Sequence, residues 1–96
     1  VLDQGANSMK FEVDSPQDIG RLARAARRAQ GLRQDDLAAI VGASHVSLMN
    51  LERGNANVGL GRTLDVLREL GVRVHLDVPP DVAGEVEKAM RGGHGQ

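Results

Sequence analysis

Between Gln34 and Gly54 the chain reads QDDLAAIVGASHVSLMNLERG, and within it His45, Val46, Met49 and Asn50 form a chemically mixed set at helical spacing. In a helix turning about 100° per residue, Leu48, Leu51 and Ser44 fall on one arc. Val46, Met49, Asn50 and Arg53 fall on the opposite arc, with His45 at its edge. An asparagine presented this way can pair bidentately with adenine, a histidine can donate to a guanine acceptor or a phosphate, and a valine can pack on a thymine methyl. The competing reading is an ordinary solvent-facing helix, for which an exposed Val and Met side by side are unusual.

Two further positions carry possible contacts. Gln34 falls in the first turn of a preceding helix, whose free N–H groups favour anions, and Arg33 stands just before it, so both are candidates to hold a phosphate. Asp35 and Asp36 suit the helix dipole there but would repel a phosphate that they faced. Arg27 lies beside the apolar stripe of the first helix and Glu52 beside the inward arc of the third, so the two are candidates for a partly buried structural ion pair; the alternative is two surface charges. GLGRT at 59–63 lacks the strand, spacing and Lys of a phosphate-binding loop and reads as the start of a helix. No Ser, His and carboxylate cluster is suggested, so no catalytic residue and no enzymatic activity are expected.

The elements that must position these residues are marked by their own punctuation. Ser15, Pro16 and Asp18 supply an N-cap, a first-turn proline and a capping box, and Ile19, Leu22, Ala23 and Ala26 form one apolar stripe that stops at Gly31. Arg21, Arg24 and Arg28 point elsewhere on that helix. A second helix is predicted from Gln34 to Val41, burying Leu37, Ala38 and Val41 and ending at Gly42. Ser44 caps the third helix, and Gly54 ends it. A fourth, from about Leu60 to Leu70, places Leu60, Leu64 and Leu67 on one face, with Val66 and Leu70 beside it, and stops at Gly71. The period then changes from helical to two: Val72, Val74, Leu76 and Val78 alternate with Arg73, His75 and Asp77 until Pro79 and Pro80. One strand cannot satisfy its own backbone, so it must pair either with Lys10–Val13 of the same chain or with the same strand of a second subunit.

Composition bounds the rest. With 96 residues there is room for one domain, and with 41% hydrophobic residues but only one aromatic, Phe11, the core must be built from Leu, Val, Ile and Ala. There is no Cys, and His45, His75 and His94 are too scattered for ligand spacing, so neither a metal site nor any other cofactor is expected. The net charge of −1 hides a basic middle: residues 19–62 carry seven Arg against Asp35, Asp36 and Glu52, while both ends are acidic. That distribution suits a polyanion-binding core as well as a solvated charged face. No membrane span or signal peptide is read, so the chain is read as cytoplasmic.

The run Gln34, Leu37-Ala38, Gly42, Ser44 and Glu52-Arg53-Gly54 resembles the XRE/Cro family of helix-turn-helix repressors, and the stretch from Ser15 through Val78 is similar to the HipB-type antitoxins. The resemblance implies a mainly α, lambda-repressor-like domain of four to five helices with a C-terminal strand that pairs across a homodimer through Val72, Val74, Leu76 and Val78. It implies double-stranded operator DNA and a HipA-type kinase toxin as partners. DNA contacts in such a family fall on Gln34 and on Ser44, His45, Val46, Ser47, Met49 and Asn50, and the Arg27 and Glu52 positions match its structural ion pair. This chain departs at Arg33, which replaces the usual Thr or Ser cap, and at Val46 and Met49, where longer polar side chains are common.

The resulting expectation is a leader over 1–14, the first eight residues of which are unpatterned, a DNA-binding domain over 15–78 with its dimerisation strand at 72–78, and a flexible tail over 79–96, where Val82, Val86 and Ala89 could line a short helix but the closing GGHGQ favours a loose tail. A stand-alone repressor without a toxin, or a protein-interaction module docking through Val46 and Met49, are the competing readings.

Overall fold

The computed structural model describes residues 8–92 and contains five helices and, among those residues, no strand. They are α1 (Pro16–Ala29), α2 (Gln34–Val41), α3 (His45–Glu52), α4 (Leu60–Glu69) and α5 (Pro80–Arg91). The leader residues 1–7 and the last residues 93–96 lie outside the described part.

Local chemistry fixes the helix ends. Ser15 Oγ accepts the Asp18 N–H at 3.1 Å, and Asp18 Oδ2 accepts the Asp14 N–H at 3.1 Å. This second bond, with help from Ser15 and Arg21, holds the Asp18 carboxyl below the ordinary carboxylate pKa. Gly42 ends α2 in the left-handed region, at φ 73°. Arg33 precedes α2 without a side-chain capping bond and pairs instead with Asp35 at 3.0 Å.

The apolar stripes converge on a core of Ala23, Leu37, Ala38, Leu48, Leu51, Val66, Leu67 and Leu70. Its members are all Leu, Val or Ala: Phe11 is 66% exposed and Ile40 lies on the surface. The buried side of α4 is Thr63, Val66 and Leu67, continued by Leu70, with Leu64 half-buried. Leu60, expected on that inner face, is 71% exposed, because the first turn of α4 overhangs the end of the core. α3 packs on both α1 and α2, and α2 also touches α4, where Arg62 Nη1 donates to the Val41 carbonyl at 2.8 Å.

Two glycines allow α3 to sit this close to α1. A Cβ on Gly20 would lie 2.6 Å from the Glu52 carbonyl oxygen and 2.7 Å from that of Leu51. Gly54, at φ 82°, meets the Gln17 backbone in the same way, its Cβ position being 2.7 Å from Gln17 Cα. The C-terminal end of α3 is thus pressed against the first half of α1 by backbone contact that no larger residue admits.

Beyond Val72 the chain leaves the body. The Val72 N–H closes the end of α4 on the Leu67 carbonyl at 2.9 Å, and residues 73–78 are all exposed, in neither helix nor turn. The expected strand is therefore not formed within one chain: no backbone hydrogen bond joins the described residues 9–14 to 72–79, and an alternating segment without a neighbour has no ladder. The segment read as a flexible tail contains α5, introduced by Pro79 and Pro80 and exposed at every residue. None of the described helices is long and apolar enough to cross a membrane.

Gly20→Ala places its methyl group inside two carbonyl oxygens and is expected to destabilise the fold by about 1–3 kcal/mol, in line with overpacking of a filled site. The measurement is the urea midpoint; Gly61→Ala, where nothing lies within 4 Å of the new methyl group, serves as the control and is expected to leave it unchanged or raised.

Candidate nucleic-acid interface

Ser44 launches α3 with extended backbone, and its Oγ accepts the Ser47 N–H at 3.0 Å. Leu48 and Leu51 anchor the inner side, both essentially without exposure. The opposite side forms a crest. Val46, 58% exposed, stands on it. Flanking the crest, one hollow is lined in part by Met49 and Arg53, and another by Ser47 and Asn50. The outward arc is therefore split: Met49 is half-buried in the hollow on the α1 side, while Ser44, Ser47 and Asn50 face the Asn55–Gly59 loop.

Behind the crest runs a polar chain through three helices. Arg27 Nε donates to Glu52 Oε2 at 2.7 Å and its Nη2 to Oε1 at 3.1 Å; its Nη1 donates to the Leu32 carbonyl at 2.7 Å. Both side chains are nearly buried, 10% and 3% exposed. Gln34 Nε2 also donates to Glu52 Oε1, at 2.9 Å, which leaves Gln34 Oε1 for His45 Nε2, 2.8 Å away. Since the amide oxygen can only accept, His45 carries its proton on Nε2, and Nδ1 has no partner among the described residues. No buried side-chain nitrogen or oxygen among the described residues lacks a hydrogen bond. Gln34, expected only as a phosphate anchor, thus also links the buried pair to the start of α3.

The α1 side of the crest opens on a hollow of about 400 Å³ lined by Arg24, Arg27, Gln34, Met49, Glu52 and Arg53. Arg24 and Arg53 are exposed and form no ion pair among the described residues, so two uncommitted guanidinium groups border this hollow. Arg33 is more distant in role, its head 3.0 Å from Asp35. Sequence reasoning set Arg24 aside; its signal was the three-residue spacing from Arg27, which puts both on one helix face. It likewise passed over Asn55 and Asn57, which share the second hollow with Asn50. Among the described residues no group of His, Cys, Asp or Glu could hold a metal ion.

This arrangement, a short exposed helix set on a second by a glycine turn and held by a core of four helices, is a helix-turn-helix domain. No protein-family model matches the chain. Its fold is like that of HipB in solved structures: a HipA-HipB-O2-O3 complex with TM-score 0.67 and 22% identity, covering 72% of this chain and 97% of that one, and a HipB-O4 20mer complex with TM-score 0.66 at the same identity and coverage. The uncharacterized HTH-type transcriptional regulator y4mF of Sinorhizobium fredii (strain NGR234) is 37% identical over 71 residues, 74% of this chain and 93% of the relative. The chain belongs to the family of HTH-type transcriptional regulators, which are not enzymes.

Glu52→Gln leaves Arg27 buried without its counter-charge and is expected to lower stability by about 3–5 kcal/mol, read from the urea midpoint. Pairing Arg27→Met with Glu52→Leu removes both charges together and is expected to recover most of that loss.

Proposed function

We propose that this chain is a sequence-specific DNA-binding repressor that works as a homodimer and as the antitoxin of a HipA/HipB-type pair, repressing its own operon in the bacterial cytoplasm. The observation that carries the reading is the mounting of α3: Leu48 and Leu51 fix it to the core while Val46 rides exposed on the far side, with Ser47 and Asn50 in the adjoining hollow. In this reading the crest enters the major groove. Asn50 reads an adenine, Val46 packs on a thymine methyl, and His45, whose Nδ1 carries no proton, accepts there from the amino group of an adenine or cytosine. Gln34, Arg33, Ser44 and the Arg24 and Arg53 heads bordering the hollow supply backbone contacts, while Met49 packs beside the groove wall.

The homodimer is supported by the exposed alternation after Val72. Two copies of residues 72–78 laid antiparallel about His75 bring Arg73 of each opposite Asp77 of the other, a register that the charges favour. Two-fold symmetry then separates the half-sites by about 34–36 Å or a multiple of it. The kinase partner is supported by the fold, since one of the similar structures is HipB in complex with HipA.

Anisotropy titrations with duplex from the chain's own promoter test the DNA reading. Affinity is expected to fall steeply with salt and to exceed that for scrambled duplex, and Asn50→Ala is expected to reduce the specific complex by about 1–3 kcal/mol. Arg24→Ala is expected to weaken both duplexes alike and to reduce the salt slope by about one. Equal affinity for promoter and scrambled duplex refutes the repressor; failure to co-purify with a kinase-like protein encoded beside it removes the antitoxin role alone.

A further inference from the structure

Two segments outside the core share one pattern. Met9, Phe11 and Val13 alternate with Lys10, Glu12 and Asp14, as Val74, Leu76 and Val78 alternate with Arg73, His75 and Asp77. Both are exposed throughout, and Phe11 and Leu76, the only aromatic and the most exposed large apolar side chain among the described residues, are 66% and 85% in solvent. Laid antiparallel with Phe11 opposite Leu76, the segments match at every position. Lys10 meets Asp77, Glu12 meets His75 and Asp14 meets Arg73 on one face; Met9 meets Val78 and Val13 meets Val74 on the other. Laid parallel with Met9 opposite Val72, they would set Lys10 against Arg73 and Asp14 against Asp77. Opposite charges across a pair of strands stabilise it and like charges oppose it, so of these two registers, which pair all six residues of the N-terminal segment, the antiparallel one is complementary.

Within one chain this register is blocked by α1. Asp14 precedes its first residue, whereas the Leu70 carbonyl is bonded to Gln30 at its other end, 2.7 Å from Gln30 Nε2. The 14 residues between them span about 21 Å, yet Asp14 and Arg73 would have to lie side by side.

We infer that residues 9–14 of each copy form an outer strand on residues 73–78 of the second copy. The result is a four-stranded antiparallel sheet with the two C-terminal segments at its centre and the N-terminal segments, exchanged between chains, at its edges. This rests on the homodimer proposed above and adds what covers its outer edges. A two-stranded ribbon leaves the outward backbone groups of residues 73–78 unpaired and its apolar face narrow. The exchanged segment satisfies those groups and sets Phe11 over Leu76.

The chain has no Cys, so engineered pairs report the sheet directly. His75→Cys tests the central pairing, because it sits on the two-fold axis and is expected to close a disulfide with its own copy. A mixture of Phe11→Cys chains and Leu76→Cys chains tests the exchange: under mild oxidation it is expected to yield the mixed disulfide, whereas Glu12→Cys with Leu76→Cys, on opposite faces, is not. Phe11→Ser removes a side chain outside the core and is expected to raise the dimer dissociation constant roughly tenfold in sedimentation while leaving the thermal midpoint of the monomer unchanged. If the His75→Cys dimer forms but Phe11→Cys and Leu76→Cys join only when placed in one chain, or not at all, the exchange is overturned and the central dimer stands. If the His75→Cys chain does not cross-link, the homodimer itself falls and takes the exchange with it.

Discussion

A single carboxylate organises the helix-turn-helix. Glu52 sits at the end of α3, receives two N–H groups from Arg27 of α1 and a third from Gln34 at the start of α2, and is nearly shut off from water. A charge so placed would cost several kcal/mol if its partners were lost, so the three helices are held at the one set of angles that keeps all three bonds. The effect passes outward. With Nε2 committed to Glu52, the Gln34 amide can turn only its oxygen to His45, and that in turn decides which imidazole nitrogen stays free. At eight residues α3 is too short to persist as a helix on its own, and its shape depends on this clamp together with Leu48 and Leu51.

What the sequence revealed was mostly local. Caps and stops are written in adjacent residues, so Ser15, Pro16, Gly42 and Ser44 could be read for α1, α2 and α3 without knowing what packs where. The helix faces were legible by periodicity wherever a helix is central. Leu60 departs because periodicity says which residues share a side, not how far along that side the core extends. Gly20 carried no sequence signal of its own, since its role exists only once the carbonyls of Leu51 and Glu52 are brought against α1. Arg24 is similar: its importance arises from Arg53, 29 positions later, arriving at the same hollow. The alternation after Val72 was visible in the sequence, but one chain offers no ladder to complete it.

The molecule separates a body from its arms. Every member of the core lies between Ala23 and Leu70, and the partly buried Val72 closes it. Residues 9–14, 73–78 and α5 add large apolar side chains, Phe11, Leu76 and Met90 among them, that the body does not use. A domain made this way keeps its helix-turn-helix geometry independent of association, because none of the residues that clamp α3 belongs to an arm.

The crest of α3 has an evolutionary consequence. Val46 supports none of the core, and surface positions of that kind tolerate replacement within about 0.5 kcal/mol. Drift at that position is therefore almost free of folding constraint, while the Glu52 clamp beneath is frozen. If Val46 touches bases as proposed, sister copies of such a gene within one genome can separate their targets by a single codon change, each remaining as stable as its parent.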